Sequence, residues 1–183
     1  MKAINNFENV QASSGEFNRP TAGGYCVEIL SVKDFPLDPA TGKGDYIKIE
    51  YDICHGEYAG YYAKQQERFG GDWFASFIRS YKDKALGMFK HFINCVEESN
   101  SGYKWDWNEQ GLVHKYVGVV LQEEEYQRND GSVGTKLVVK DIKTTDQILK
   151  GDYKVPAPKK LSVTAPSSPS FVEINDLDET PFL

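Results

Sequence analysis

Apolar and polar positions alternate strictly over residues 45–53. Ile47, Ile49, Tyr51 and Ile53 fall on one face, and Tyr46, Lys48, Glu50 and Asp52 on the other. Period two marks a half-buried antiparallel strand with one wet face. A strand is expected before it at 24–32, closed by the turn-forming run from Pro36 to Gly44. Residues 58–68 read as a third strand, bent at Gly60. Gly70 and Gly71 break it, and Asp72 is placed to cap a short helical stretch up to Phe77. The period then changes. Leu86, Phe89, Ile93 and Val96 follow one another at helical spacing, which predicts a helix over 84–97 that ends at 100–102. A fourth strand is expected at 112–122, and the Asp130-Gly131 turn joins it to a fifth at 134–142. Residues 1–20 carry little pattern beyond a turn of helix around Ile4, Phe7 and Val10, and a short helix is expected at 145–149.

Strand, strand, strand, helix, strand, strand is the order of the OB-fold. The expected class is therefore mainly β with α+β elements: an OB-fold-like five-stranded antiparallel barrel with one helix between the third and fourth strands. In that fold the face of strands two and three, with the loops joining strands one–two and four–five, commonly binds oligonucleotides or oligosaccharides. The chain divides into an N-terminal extension (1–20), an OB-like nucleic-acid-binding domain (21–155), a Pro- and Ser-containing linker (156–170) and an acidic tail (171–183). The tail has too little apolar content to fold alone and is expected to be disordered.

Composition sharpens this picture. The 183 residues suffice for one domain with a proper core, and an aromatic share of 13% suits strands. No apolar run reaches the length of a membrane span, and the N-terminus lacks a signal-peptide apolar region. Cys26, Cys54 and Cys95 are odd in number and widely spaced, which points to reduced thiols and the cytoplasm of a host cell. The net charge of −6 argues against a nucleic acid until it is partitioned. Glu173, Asp176, Asp178 and Glu179 of the tail contribute −4, leaving −2 on residues 1–170. Residues 62–90 carry a local +3 with rings interleaved, and it is the local field that a phosphate backbone meets.

Enzyme signatures are missing from the pattern. There is no phosphate-cradling loop, metalloprotease helix motif, nucleophile elbow or paired-cysteine motif, and Thr41-Gly-Lys-Gly44 is a basic turn. Cys54, His55, His91 and Cys95 are expected to be core or surface residues rather than zinc ligands, and no cofactor is called for. What remains is rings beside cations, the chemistry that holds single-stranded nucleic acid by stacking and phosphate contacts. The candidates are Tyr46 and Lys48 on the wet face of the second strand. Tyr58, Tyr62, Lys64, Arg68, Trp73, Arg79, Tyr81 and Lys82 follow from the next segment. Lys104, Trp105 and Trp107 come from the loop after the helix, and Arg128 from the last turn.

The closing peptide, acidic and ending Pro181-Phe182-Leu183, resembles the C-terminal peptide of bacterial single-stranded DNA-binding proteins. Asp176, Asp178, Glu179, Pro181 and Phe182 match it, and Leu183 departs from it. The resemblance implies that these residues dock replication or repair enzymes, with the Phe in an apolar pocket. The body resembles a family of small bacteriophage proteins of uncharacterised function, found among replication and recombination genes. The matching stretches include Pro20–Tyr25, Thr41–Gly44, Tyr58–Tyr62, Tyr126–Lys136 and Gly151–Pro156. Together these imply a phage single-stranded DNA-binding protein that recruits replication or recombination proteins, is no enzyme, needs no membrane and is compatible with a homo-oligomer. The alternative is a non-enzymatic adaptor of a phage recombination module that does not itself bind DNA. The charge partition also implies that the acidic tail competes with DNA for the body. Removal of residues 171–183 should then tighten oligo-dT binding at low salt, and unchanged affinity would overturn that competition.

Overall fold

Alternation along β2 (Tyr46–Ile53) is realised: Ile47, Ile49, Tyr51 and Ile53 are buried, while Tyr46, Lys48 and Glu50 stay half-exposed. Four further strands complete one sheet in the computed structural model, which describes residues 18–161. They are β1 (Gly23–Phe35), β3 (Ser76–Ser80), β4 (Tyr116–Gln127) and β5 (Val133–Lys143). Their spatial order is β3-β2-β1-β4-β5, antiparallel throughout. The helices are α1 (Tyr61–Phe69), α2 (Leu86–Ser99) and α3 (Thr145–Lys150). The protein is thus mainly β.

One irregularity sets which residues of β1 face inward. Its register against β2 slips between Ile29 and Ser31, a bulge at Leu30. Val27 and Ile29 lie on the core side before the slip, and Val32 lies there after it, all buried. A bulge inserts one residue and so exchanges the faces of everything beyond it. Lys33 and Phe35 are thereby turned to the outer face, opposite Lys48 and Tyr46.

The inner face is covered by α2, whose Phe89, Phe92, Ile93, Cys95 and Val96 are buried against strands from both halves of the sheet. Phe77 of β3 meets Phe92 edge-on at 5.8 Å between centroids. A smaller apolar cluster lies on the other face, where Cys26 and Val120 are covered by Ile148 of α3. Thr144 and Gln147 form a reciprocal capping box that starts α3. The helix can approach so closely because position 118 is glycine. A Cβ there would collide with Ile148 and stand 2.8 Å from the Thr144 carbonyl oxygen.

Two expected elements are corrected. Residues 58–68, read as a strand, form a turn and then α1. The physical reason is Asp52. Its place on the wet face of β2 predicts exposure, yet it is only 7% exposed. One carboxylate oxygen accepts the amides of Ile53 (2.8 Å) and Tyr62 (3.0 Å), and the other accepts that of Ala63 (3.0 Å). The first amides of a helix have no partner within it, and a carboxylate there satisfies them and complements the helix dipole. The Ala, Lys, Gln, Glu and Arg of α1 are also good helix formers. The helix expected after Asp72 is instead the edge strand β3, because residues 76–80 pair along β2.

A closed barrel does not form. The sheet is open, with β3 and β5 at its edges and no ladder joining them among the described residues. The helix expected at 84–97 is present as α2, and the Asp130-Gly131 hairpin joins β4 to β5 with Gly131 at a φ of 83°. The fourth strand starts later than expected, because residues 109–112 form a short 3-10 turn. Beyond Leu121 the flank of β4 left by β1 is taken by the first residues of the expected linker. Lys159 donates its amide to the Glu123 carbonyl and accepts that of Glu125, each at 2.9 Å. The N-terminal turn around Ile4, Phe7 and Val10 and the docking residues Asp176, Asp178, Glu179, Pro181 and Phe182 lie outside the described residues.

The triple acceptance by Asp52 makes a prediction. Asp52→Ala should lower stability by about 1–3 kcal/mol, with a reduced urea midpoint and unchanged slope. Asp52→Asn, which keeps one acceptor oxygen, should recover part of the loss. An unaltered midpoint in Asp52→Ala would show that α1 is held by other means.

Candidate functional site

The bulge in β1 and the alternation of β2 together place two rungs side by side on the outer face. In the first, Phe35 and Tyr46 stack with centroids 5.0 Å apart and planes 18° from parallel. In the next, Lys33 lies directly opposite Lys48. Like charges facing each other across strands are destabilising. Lys48 is partly compensated by Glu50 at 3.0 Å, whereas Lys33 is exposed and has no ion pair among the described residues. Ile78 of β3, 56% exposed, continues the Lys33–Lys48 rung, and Ser80 continues the ring rung. Lys82 follows two residues later and is exposed. The surface therefore offers flat rings, an apolar residue and cations in one strip.

The loop between β1 and β2 borders the ring rung and is internally built. Asp38 accepts the Thr41 hydroxyl at 2.7 Å and the Ala40 amide at 2.9 Å, which hold its carboxyl below the ordinary value. Asp45, with a left-handed φ of 58°, accepts the Leu37 amide at 3.1 Å. Arg128 is far along the chain at the β4–β5 turn, where its amide donates to the Ser132 carbonyl at 2.8 Å and its side chain is exposed.

A second feature is the cleft where the sheet fails to close. It measures about 340 Å3. Tyr61, Tyr62 and Phe74 line one wall, Lys136 and Leu137 the other, and Arg19 lines it too. Phe74 is 59% exposed. Glu123 is the one acid among the lining residues.

The chain matches no known protein family and no curated protein.

Of the residues expected to bind, Tyr46 and Lys48 share the outer strip, with Lys82 beyond its end. Tyr62 lines the seam cleft. Several others make contacts within the body, while Lys64, Arg68 and Lys104 stay exposed. Trp73 packs on the core and donates its indole N–H to the Tyr51 carbonyl at 2.9 Å. Tyr58 packs there too and donates its hydroxyl to Asn18 at 3.1 Å. Lys64 donates to the Ala59 carbonyl at 3.3 Å, and the Arg68 guanidinium lies over the Phe69 ring at 5.1 Å. Arg79 is on the inner side of β3, 4.8 Å from the centre of the Phe77 ring, and burial lowers its pKa. Lys104 pairs with Glu97 at 2.8 Å. Tyr81, Trp105 and Trp107 gather in a different pocket whose charged lining residues, Asp34 and Glu109, are both acidic. Cys95 and His91 contact each other at 3.7 Å, with the ring also 3.0 Å from the Ile142 carbonyl. Among the described residues no group of three or more metal-ligating side chains converges, and no helix is long and apolar enough to cross a membrane.

Lys33, Phe35, Arg19 and Phe74 were not among the sequence candidates. Phe35 beside Pro36 carries the signal of a ring at a strand end, but its face depends on the bulge. The tyrosines give a measurable consequence. Burial pushes the phenols of Tyr62, Tyr81 and Tyr103 each up to about 12 and raises that of Tyr51 as well. The folded state thus holds phenolic protons that the unfolded chain releases near pH 10. The contribution of these phenols to stability should be level below about pH 10 and fall between about 10 and 12 as the unfolded state ionises first. Urea midpoints across that range, with phenolate absorbance in parallel, provide the check, and Tyr62→Phe should flatten the fall.

Proposed function

We propose that this protein binds single-stranded DNA, within a phage replication or recombination system, and that its acidic C-terminal peptide recruits partner enzymes in the host cytoplasm. The observation that carries the reading is the pair of adjacent rungs on the outer face: stacked Phe35–Tyr46 rings beside the Lys33–Lys48 pair. Bases stack on exposed rings whatever their sequence, and the neighbouring cations meet the phosphates. An opposed lysine pair that is unfavourable in the free protein becomes favourable beside an anion, so the strip is matched to a charged backbone.

The strand connectivity supports an OB-like reading. β1 pairs with both β2 and β4, β3 extends β2, β5 extends β4, and α2 lies between β3 and β4 in sequence. In that architecture the face of strands two and three carries the ligand, and the outer strip lies on that side of β2. The seam cleft, with Tyr61 and Phe74 near Arg19 and Lys136, is a second place for an unstacked base as the strand leaves the strip. The docking function of Asp176, Asp178, Glu179, Pro181 and Phe182 rests on their resemblance to the single-stranded DNA-binding family.

Anisotropy of labelled oligo-dT at low salt tests the reading. Phe35→Ala and Tyr46→Ala should each weaken binding by about 5- to 150-fold, the loss of one stack at about 1–3 kcal/mol. Lys33→Ala should reduce the slope of log K against log salt by about 0.7, the value for one phosphate contact on a single strand. Absence of binding at low salt, or binding indifferent to Phe35→Ala, would overturn the assignment.

A further inference from the structure

The pocket at the end of the inner face has a chemistry unlike that of the outer strip. It measures about 230 Å3 and is walled by a continuous run of rings. Tyr81 meets Phe89 at 6.0 Å, Phe89 meets Trp105 at 6.2 Å, and Trp105 meets Trp107 at 6.2 Å between centroids. Its charged groups are Asp34 and Glu109, and no basic side chain lines it. Asp34 is oriented by the Tyr81 hydroxyl, which donates to it at 2.8 Å. Neither carboxylate forms an ion pair with Lys, Arg or His among the described residues. The negative field is felt locally: after burial, the bond and charge of Asp34 and then the charges of Asp45 and Glu109 raise the Tyr81 phenol to about 12.

Trp107 is the least ordinary residue of the pocket. It is 79% exposed, and its φ of 66° is left-handed, a conformation disfavoured for a bulky side chain. Such strain persists where its surroundings enforce it, and it collects at binding sites. Here the loop is held by Glu97, which accepts the Trp105 amide and the Lys104 ammonium, each at 2.8 Å. Asp106 accepts the Asn108 amide at 3.2 Å. The indole is thereby presented to solvent at the mouth of the pocket.

We propose that this pocket, with Tyr81, Phe89, Trp105 and Trp107 as its walls and Asp34 and Glu109 as its acids, binds the guanidinium of an arginine side chain presented by a partner protein. Two uncompensated carboxylates repel a phosphate and attract a cation, so the pocket does not extend the DNA strip. Ring faces attract cations through their quadrupoles, most strongly when water is excluded. A guanidinium is planar, weakly hydrated and able both to stack on an indole and to bond a carboxylate in two places, which favours arginine over lysine. The volume suits one side chain rather than a run of nucleotides. This inference does not depend on the DNA reading.

The test uses the full chain with its tryptophan indoles labelled by 15N, titrated with N-acetyl-arginine amide at constant ionic strength. Saturable shifts of the Trp105 and Trp107 indole signals, with that of Trp73 unmoved, are expected. Asp34→Asn combined with Glu109→Gln should weaken the interaction at least tenfold. Trp107→Ala should do likewise, and its exposure makes it a safe second variant for folding. No saturable shift, or shifts equal in the double variant, would overturn the proposal. Equal affinity for tetramethylammonium would overturn its assignment to guanidinium. Concentration-dependent dimerisation that protects the same indoles and is dispersed by the arginine amide would support it, with a second copy as the partner. Oligo-dT anisotropy on the double variant should be unchanged. Loss of one binding activity with the other intact then tells the failure of this proposal from failure of the DNA reading.

Discussion

The slip of register at Leu30 is the constraint on which both surfaces depend. β1 is the central strand and joins the two halves of the sheet, so its faces decide what each half can present. Without the extra residue, Ser31, Lys33 and Phe35 would continue the inward series begun by Val27 and Ile29, and a lysine would enter the core. With it, Val32 fills the core, Asp34 reaches the acidic pocket, and Lys33 and Phe35 turn outward. One inserted residue therefore sends opposite charges to opposite faces of the same strand end. That separation lets a chain of net charge −6 offer a cationic strip.

The body is also organised by satisfying polar groups at a distance. Asp52 supplies from β2 the acceptors that the first turn of α1 lacks, and the helix buries none of its own residues. A helix with so little apolar attachment owes its position to those bonds and to its paired rings, Tyr62 against Tyr51 and Tyr61 against Tyr58. Of these rings, Tyr51, Tyr61 and Tyr62 border the seam cleft. The glycine at 118 plays the corresponding part for α3 through the absence of a side chain.

Legibility in the sequence followed the range of the forces involved. β2, α2, α3 and the Asp130-Gly131 hairpin are written in local periodicity and turn chemistry, and each was readable. α1 was not, because the group that starts it is ten residues away in another element, while Tyr58, Gly60, Tyr61 and Tyr62 suggest a bent strand. β3 is short, and its extended form comes from pairing with β2, which no local pattern announces. On the outer strip, Tyr46 and Lys48 could be read from alternation alone. Their partners Phe35 and Lys33 could not, since the bulge that exposes them leaves no mark in the residue pattern. The tryptophans of the acidic pocket are legible as rings beside charge, but the sign of that charge is set by Glu109, two residues beyond Trp107, together with Asp34, which the fold brings from β1.

The unpaired seam has a mechanical consequence. A closed barrel fixes its own girth, because strand number and stagger leave no freedom once the last ladder forms. Among the described residues, the two margins of the sheet are both contacted by α2 and are joined by no ladder. The body is a clasp rather than a ring: among the described residues no ladder hydrogen bond crosses the seam, so opening or tightening there would break none.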